Sequence, residues 1–130
     1  MQINVINDQL RLTTLKLARP NGVKLVIKSV DESIKALEEG KTDKYRLFIV
    51  VDSVEDAAKI VTNVKTIKII NLGGTKPNDN TISISRVVHL TKKEISILKE
   101  LDNVGIDIEV RQVPNDTKMN AISLIKQKIE

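Results

Sequence analysis

The residues able to do chemistry gather where apolar runs stop. Asn7-Asp8 follows Ile3–Ile6, Ser29 follows Val23–Ile27, and Asp52-Ser53 follows Leu47–Val51. Asn71-Leu72-Gly73-Gly74-Thr75 follows Ile67–Ile70, and Pro114-Asn115-Asp116 follows Ile106–Val113. In open α/β sheets such strand exits are where ligands bind. Gly73-Gly74 is the strongest local signal. Two glycines let backbone N–H groups converge on an anion and bring the main chain close to a ligand. The same pair also makes an ordinary turn into a following strand.

Other candidates carry two readings each. Asp8 and Asp52 both end strands and could share a magnesium ion, as in a response-regulator receiver domain. Asp52 beside Ser53 equally reads as a helix-entry cap. A receiver also carries paired acids at its first strand and a lysine closing its last, which this chain does not show. His89 is the only histidine, just before the capping Thr91, as a packed structural residue or a nucleophile. Arg111 could hold a phosphate bidentately or pair with Glu109 or Asp107. The chain has no cysteine, which removes disulfides, thiolate metal sites and cysteine catalysis, and a protein-only zinc site is not expected. It has no phosphate-binding P-loop, no G-x-G-x-x-G and no nucleophile elbow. No metal or cofactor is therefore expected.

The elements that must position these residues alternate. The Val- and Ile-rich runs read as strands, and Leu47–Val51, apolar throughout, reads as a central one. Ser29 to Glu32 has capping-box spacing, with Val30, Ile34 and Leu37 on one face and Gly40 as a stop. Ser53 opens a helix with Val54, Ala57, Ala58 and Val61 inward. Thr91 to Glu94 is a second capping box, before Ile95, Leu98 and Leu101, with Gly105 at the end. Asp116 or Thr117 is expected to cap a last helix carrying Ile122, Ile125 and Ile129. Gln9–Ala18 reads as a short crossover helix. Thr81–Val88 reads as an antiparallel strand at or near an edge, because no helix fits before it. The expectation is an α/β domain: a three-layer open, mostly parallel sheet, helices on both faces, and one antiparallel strand near the C-terminal half.

At 130 residues and 41% apolar, the chain suits a single domain with a core of Ile, Val and Leu. Tyr45 and Phe48 are its only aromatic residues, too few for stacking bases, and its lysines are scattered, so nucleic acid is not an expected partner. No apolar run is long enough for a membrane span and no signal peptide opens the chain, which predicts a cytoplasmic location.

Three stretches together resemble the IIB components of the mannose/fructose/sorbose family of bacterial sugar phosphotransferase systems. They are Ile69-Ile70-Asn71-Leu72-Gly73-Gly74, the run Ser85-Arg86-Val87-Val88-His89-Leu90-Thr91 leading into a helix, and Gly105 to Asp116 with its Arg111-Gln112-Val113-Pro114-Asn115-Asp116 exit. Ile6-Asn7-Asp8 and Leu17 to Lys24 fit the same pattern, so the resemblance covers nearly the whole chain in order. It implies a cytoplasmic phosphocarrier. Such a subunit takes a phosphoryl group from a IIA component onto a histidine and passes it to a sugar held by the membrane IIC and IID subunits. The family opens on a strand, a loop of the type Arg-Ile-Asp-Asp-Arg-Leu-Ile-His-Gly-Gln and a helix, and these 130 residues contain none of them. His89 does not correspond to the phosphorylated histidine, so the resemblance supplies no catalytic residue here. It implies that Asp8 and Gly73-Gly74-Thr75 neighbour the phosphohistidine loop. Residues 1–130 are expected to form one IIB-like domain without that N-terminal segment, through truncation, omission or a true loss of catalysis. A sheet lacking a strand exposes edges that favour self-association.

Overall fold

The structure is a computed structural model that describes residues 2–6, 29–40, 49–111 and 118–129. In chain order the elements are β1 (Gln2–Ile6), α1 (Val30–Glu38), β2 (Ile49–Val51), α2 (Val54–Asn63), β3 (Ile69–Gly74), β4 (Thr81–Ser83), β5 (His89–Thr91), α3 (Lys92–Asn103), β6 (Asp107–Val110), β7 (Met119–Asn120) and α4 (Ala121–Ile129). Asp8, the Gln9–Ala18 helix and the Val23–Ile27 strand lie outside the described residues.

Alternation of side chains decides the layers. Ile3 and Val5, Ile70 and Leu72, and Ile108 and Val110 share one sheet face and are essentially inaccessible to solvent. They form one apolar cluster with Val54, Ala57, Ile60, Val61, Leu98 and Ile125 of the helices. Each fully buried Ile, Leu or Val contributes roughly 1.5–3 kcal/mol. Contacts run α1 to α2, α2 to α3 and α3 to α4, so the four described helices form one row. The five strands run β2-β1-β3-β6-β7, the first four parallel and β7 antiparallel to β6.

The opposite face carries a polar row. Asn4, Asn71, Glu109 and Asn120 are successive register partners across β1, β3, β6 and β7. The Asn71 carboxamide donates to Asn4 Oδ1 at 3.3 Å and to the Arg111 carbonyl at 2.9 Å. Asn4 in turn donates to the Ile49 carbonyl at 3.0 Å. Two buried amides thus tie four parallel strands together. Glu109, also buried, pairs with Lys118 at 3.2 Å, fastening β6 to the approach of β7.

One strand expectation is corrected and one lies partly outside the described residues. Of Leu47–Val51, expected as a central strand, the structure describes Ile49–Val51, half-buried in β2, which pairs with β1. The buried centre is β3, whose Asn71, Gly73 and Gly74 depress its apolar signal although all three are buried. Thr81–Val88 is not one edge strand of the main sheet. β4 pairs antiparallel with β5 in a separate two-stranded sheet, Ser83 opposite His89. Ser85 makes the turn: its hydroxyl accepts from the N–H of Val87 and Val88, and Ile84 N–H donates to the Val88 carbonyl at 3.0 Å. A serine hydroxyl offering the backbone this alternative outcompetes a continued ladder. The antiparallel strand of the main sheet is β7.

Thr75, directly after β3, anchors the hairpin. Its N–H donates to the Val87 carbonyl at 2.9 Å. Its hydroxyl accepts from His89 N–H and donates to the His89 carbonyl at 2.8 Å. Helix ends follow local rules. Thr91 and Glu94 form the full reciprocal box. Ser29 accepts from Glu32 N–H, but its hydroxyl, rather than its N–H, meets the Glu32 carboxylate. α4 is capped by Asn120, whose Oδ1 accepts from Ser123 N–H at 2.9 Å; Asp116 and Thr117, the expected caps, lie outside the described residues. After α3, Gly105 at φ +96° lets Ile106 N–H reach the Leu101 carbonyl and Gly105 N–H reach that of Asp102. That is the Schellman arrangement, with Ile106 and Leu101 both buried.

These contacts set three expectations for urea unfolding. Asn71→Ala should cost about 2–3 kcal/mol, since two buried acceptors lose their donor. Asn71→Asp should cost more at neutral pH, because an acceptor-only carboxylate then faces two acceptors; equal stability of Asp and wild type would contradict the network. Thr75→Val should cost about 1–3 kcal/mol and speed amide exchange in the hairpin first, by leaving the His89 N–H without its acceptor. Gly105→Ala should cost roughly 1–2 kcal/mol through backbone conformation alone, since no atom lies within 4 Å of an added Cβ. Gly105→Asn should then be milder.

Candidate functional site

β3 ends at the carboxyl edge of the parallel sheet on Gly73-Gly74, and both are strand residues rather than turn residues. A Cβ on Gly73 would lie 3.0 Å from Cγ1 of Ile6, itself buried, so a side chain there would have to displace Ile6 by a few tenths of an ångström, and glycine allows the close packing of β1 on β3. Gly74 takes φ +154°, which side-chain-bearing residues rarely adopt. Opposite it the β1 register slips between Val5 and Ile6.

Beyond Gly74 the chain and the hairpin enclose an open groove of about 200 Å³ lined by Gly74, Thr75, Lys76, Arg86, Val87 and His89. Lys76 and Arg86 are exposed and His89 is half-buried. Among the described residues no carboxylate lines it. The groove joins the end of the strand with the most buried run of residues to a cationic rim, an arrangement suited to an oxyanion. His89 Nδ1 lies 2.6 Å from Ser83 Oγ, its cross-strand partner, so the ring is held at one nitrogen and only Nε2 remains to meet a ligand.

The sequence-derived candidates divide. Gly74 and Thr75 line the groove, and Gly73 lies one residue inside it. The one hydroxyl proton of Thr75 is given to the His89 carbonyl, so the group is a fastening and has no donor left for an anion. Asp8 lies outside the described residues. Asp52 is exposed beside Ser53, which caps α2 by accepting from Asp56 N–H at 3.1 Å. Among the described residues no three His, Cys, Asp or Glu side chains gather as a metal site. The Arg111 main chain is bound to β3, its N–H donating to the Leu72 carbonyl at 3.4 Å. Glu109, one of its two expected partners, pairs with Lys118 instead. Lys76 and Arg86 were missed. The signal that could have found Arg86 is Ser85, whose turn puts the next residue at a hairpin tip.

Comparison with known proteins agrees with this geometry. The family described as "PTS system sorbose subfamily IIB component" matches residues 2–130. A probable phosphotransferase enzyme IIB component of Streptococcus pyogenes is 31% identical over 124 residues, 91% of this chain and 76% of that protein. The mannose-specific EIIAB component of Escherichia coli is 27% identical, over 95% of this chain but only 38% of that longer protein. The crystal structure of the IIBSor domain of the sorbose permease of Klebsiella pneumoniae superimposes with a TM-score of 0.80 at 23% identity, covering 97% of this chain and 80% of that one. At that identity the superposition speaks for the fold, and it matches the mostly parallel sheet. This chain belongs to the sorbose subfamily of phosphotransferase-system IIB components.

Proposed function

We propose that this chain works as a cytoplasmic phosphocarrier subunit in sugar uptake, relaying a phosphoryl group from a IIA phosphohistidine to a sugar held by membrane IIC and IID subunits. Family membership over residues 2–130 is the observation that carries this reading. The EIIAB name of the Escherichia coli relative supports an A-type partner. Among the described residues no helix is long and apolar enough to cross a membrane, consistent with membrane steps belonging to other subunits. The cationic groove at the end of β3 suits a site that must offset charge on a moving phosphoryl group. Asp8 and Gly73-Gly74-Thr75 would border the phosphohistidine loop.

A second reading has its own support. The 130 residues hold one histidine, His89, and it does not stand at the family's phosphorylated position. The second reading is a non-catalytic relative that docks IIA or the transporter without accepting phosphate.

Intact-mass measurement separates the two. The protein isolated from its native host is mixed with phosphohistidine-charged IIA. The carrier reading expects a gain of one phosphoryl group that is lost in acid. No gain, with a stable complex in gel filtration, supports the docking relative. Neither gain nor complex overturns both.

A further inference from the structure

We propose that Ser83 is a phosphoryl acceptor activated by His89, taking the group from a phosphoramidate, the bond class of phosphohistidine, and keeping it as a phosphoserine ester. This goes beyond phosphoryl carriage. An ester has lower transfer potential than a phosphoramidate, so the step marks the protein and does not relay the group.

Three observations carry it. First, Ser83 is exposed and its Oγ lies 2.6 Å from Nδ1 of His89, within reach of proton transfer. A serine hydroxyl is a weak nucleophile until an adjacent base takes its proton. This ring is the only imidazole in the chain, and it meets a serine. Second, the base is held in place. Ser83 and His89 are register partners in the β4–β5 hairpin, and the His89 N–H and carbonyl are both bound to Thr75. With the ring proton on Nε2, Nδ1 accepts from the Ser83 hydroxyl, the arrangement that attack requires. Third, Ser83 differs from the serines that build local structure. The Ser53 hydroxyl accepts from Asp56 N–H and the Ser85 hydroxyl from Val87 and Val88 N–H, whereas Ser29 Oγ meets the Glu32 carboxylate. In the step, the Ser83 Oγ–P bond forms as the N–P bond of the donor breaks. The hydroxyl proton passes to Nδ1 of His89 and from there through solvent to the departing nitrogen, so atoms and charge balance. The product sets roughly −1.5 to −2 charges beside the ring.

The test incubates the whole protein with potassium phosphoramidate or, in a second arm, with phosphohistidine-charged IIA. Intact mass and peptide fragmentation then locate the label after acid and after alkali. The expected result is one phosphoryl group on Ser83 that survives acid and is eliminated in alkali, the reverse of phosphohistidine. The faster arm shows whether the donor is a small phosphoramidate or a protein-borne one. Ser83→Ala should abolish the acid-stable label. Ser123→Ala, at an exposed serine of α4, should leave it unchanged. His89→Gln should slow labelling by about a hundredfold or more, the usual contribution of a positioned base. His89→Asn is a second variant without the base, and circular dichroism reports the folding of each. Label found only on the His89 ring and lost in acid, label on other serines, an undiminished rate in the folded His89 variants, or no label in either arm overturns the proposal. Carriage predicts an acid-labile group and this site an acid-stable one, so the two readings fail separately.

Discussion

The carboxamide of Asn71 is the contact on which the site's position depends. It lies in the strand with the longest buried run, and one nitrogen donates to Asn4 of β1 and to the carbonyl of Arg111 where the chain leaves β6. Asn4 extends the tie to β2 through Ile49. A parallel sheet needs its strand exits level for a site to form above them, and hydrophobic burial is too undirected to set that level by itself. Buried amides are directional and costly to leave unpaired, so they fix register where apolar contacts only fix the face. The arrangement has one cost: Asn71 Oδ1 is buried without a partner.

From that fixed edge the chain builds outward by short links. Gly73 lets β1 pack close against β3, Gly74 turns the backbone, and Thr75 binds the returning hairpin at both Val87 and His89. Ile84, Val88 and Leu90 bury the hairpin in the core, Thr75 fastens it to the end of β3, and the cationic rim of the groove follows from its placement. α3 then starts on Thr91, the last residue of β5, with both halves of its capping box made. Strand end, groove and helix start are thus consecutive in sequence and share one anchor.

Much of this was legible in the residues. Val- and Ile-rich apolar runs marked β1, β3 and β6, the 3.6-residue period marked the inward faces of α2 and α3, and Ser53, Thr91, Gly40 and Gly105 marked helix ends where the structure has them. What failed did so where a side chain competes with the ladder or where a polar residue is buried. Ser85 breaks an alternating run that apolar periodicity alone carries through to Val88. Asn71 and the two glycines made β3 look less central than Leu47–Val51, because pattern reading counts polarity without knowing which amides will be satisfied. Asn120 was overlooked as a cap because Asp116 and Thr117 carry the same signal earlier. The glycine pair reads in the sequence as an anion-binding turn, whereas packing and backbone angle account for it in the structure, and the cations of the groove come from Lys76 and Arg86.

Side-chain amide exchange at Asn71 tests the account most directly. If its carboxamide ties β1, β3 and β6 together, its two Nδ2 protons should exchange only as slowly as the most protected backbone amides of β3, and should lose protection together with them in urea. Exchange of those protons at the rate of a free carboxamide, with the β3 backbone still protected, would contradict it.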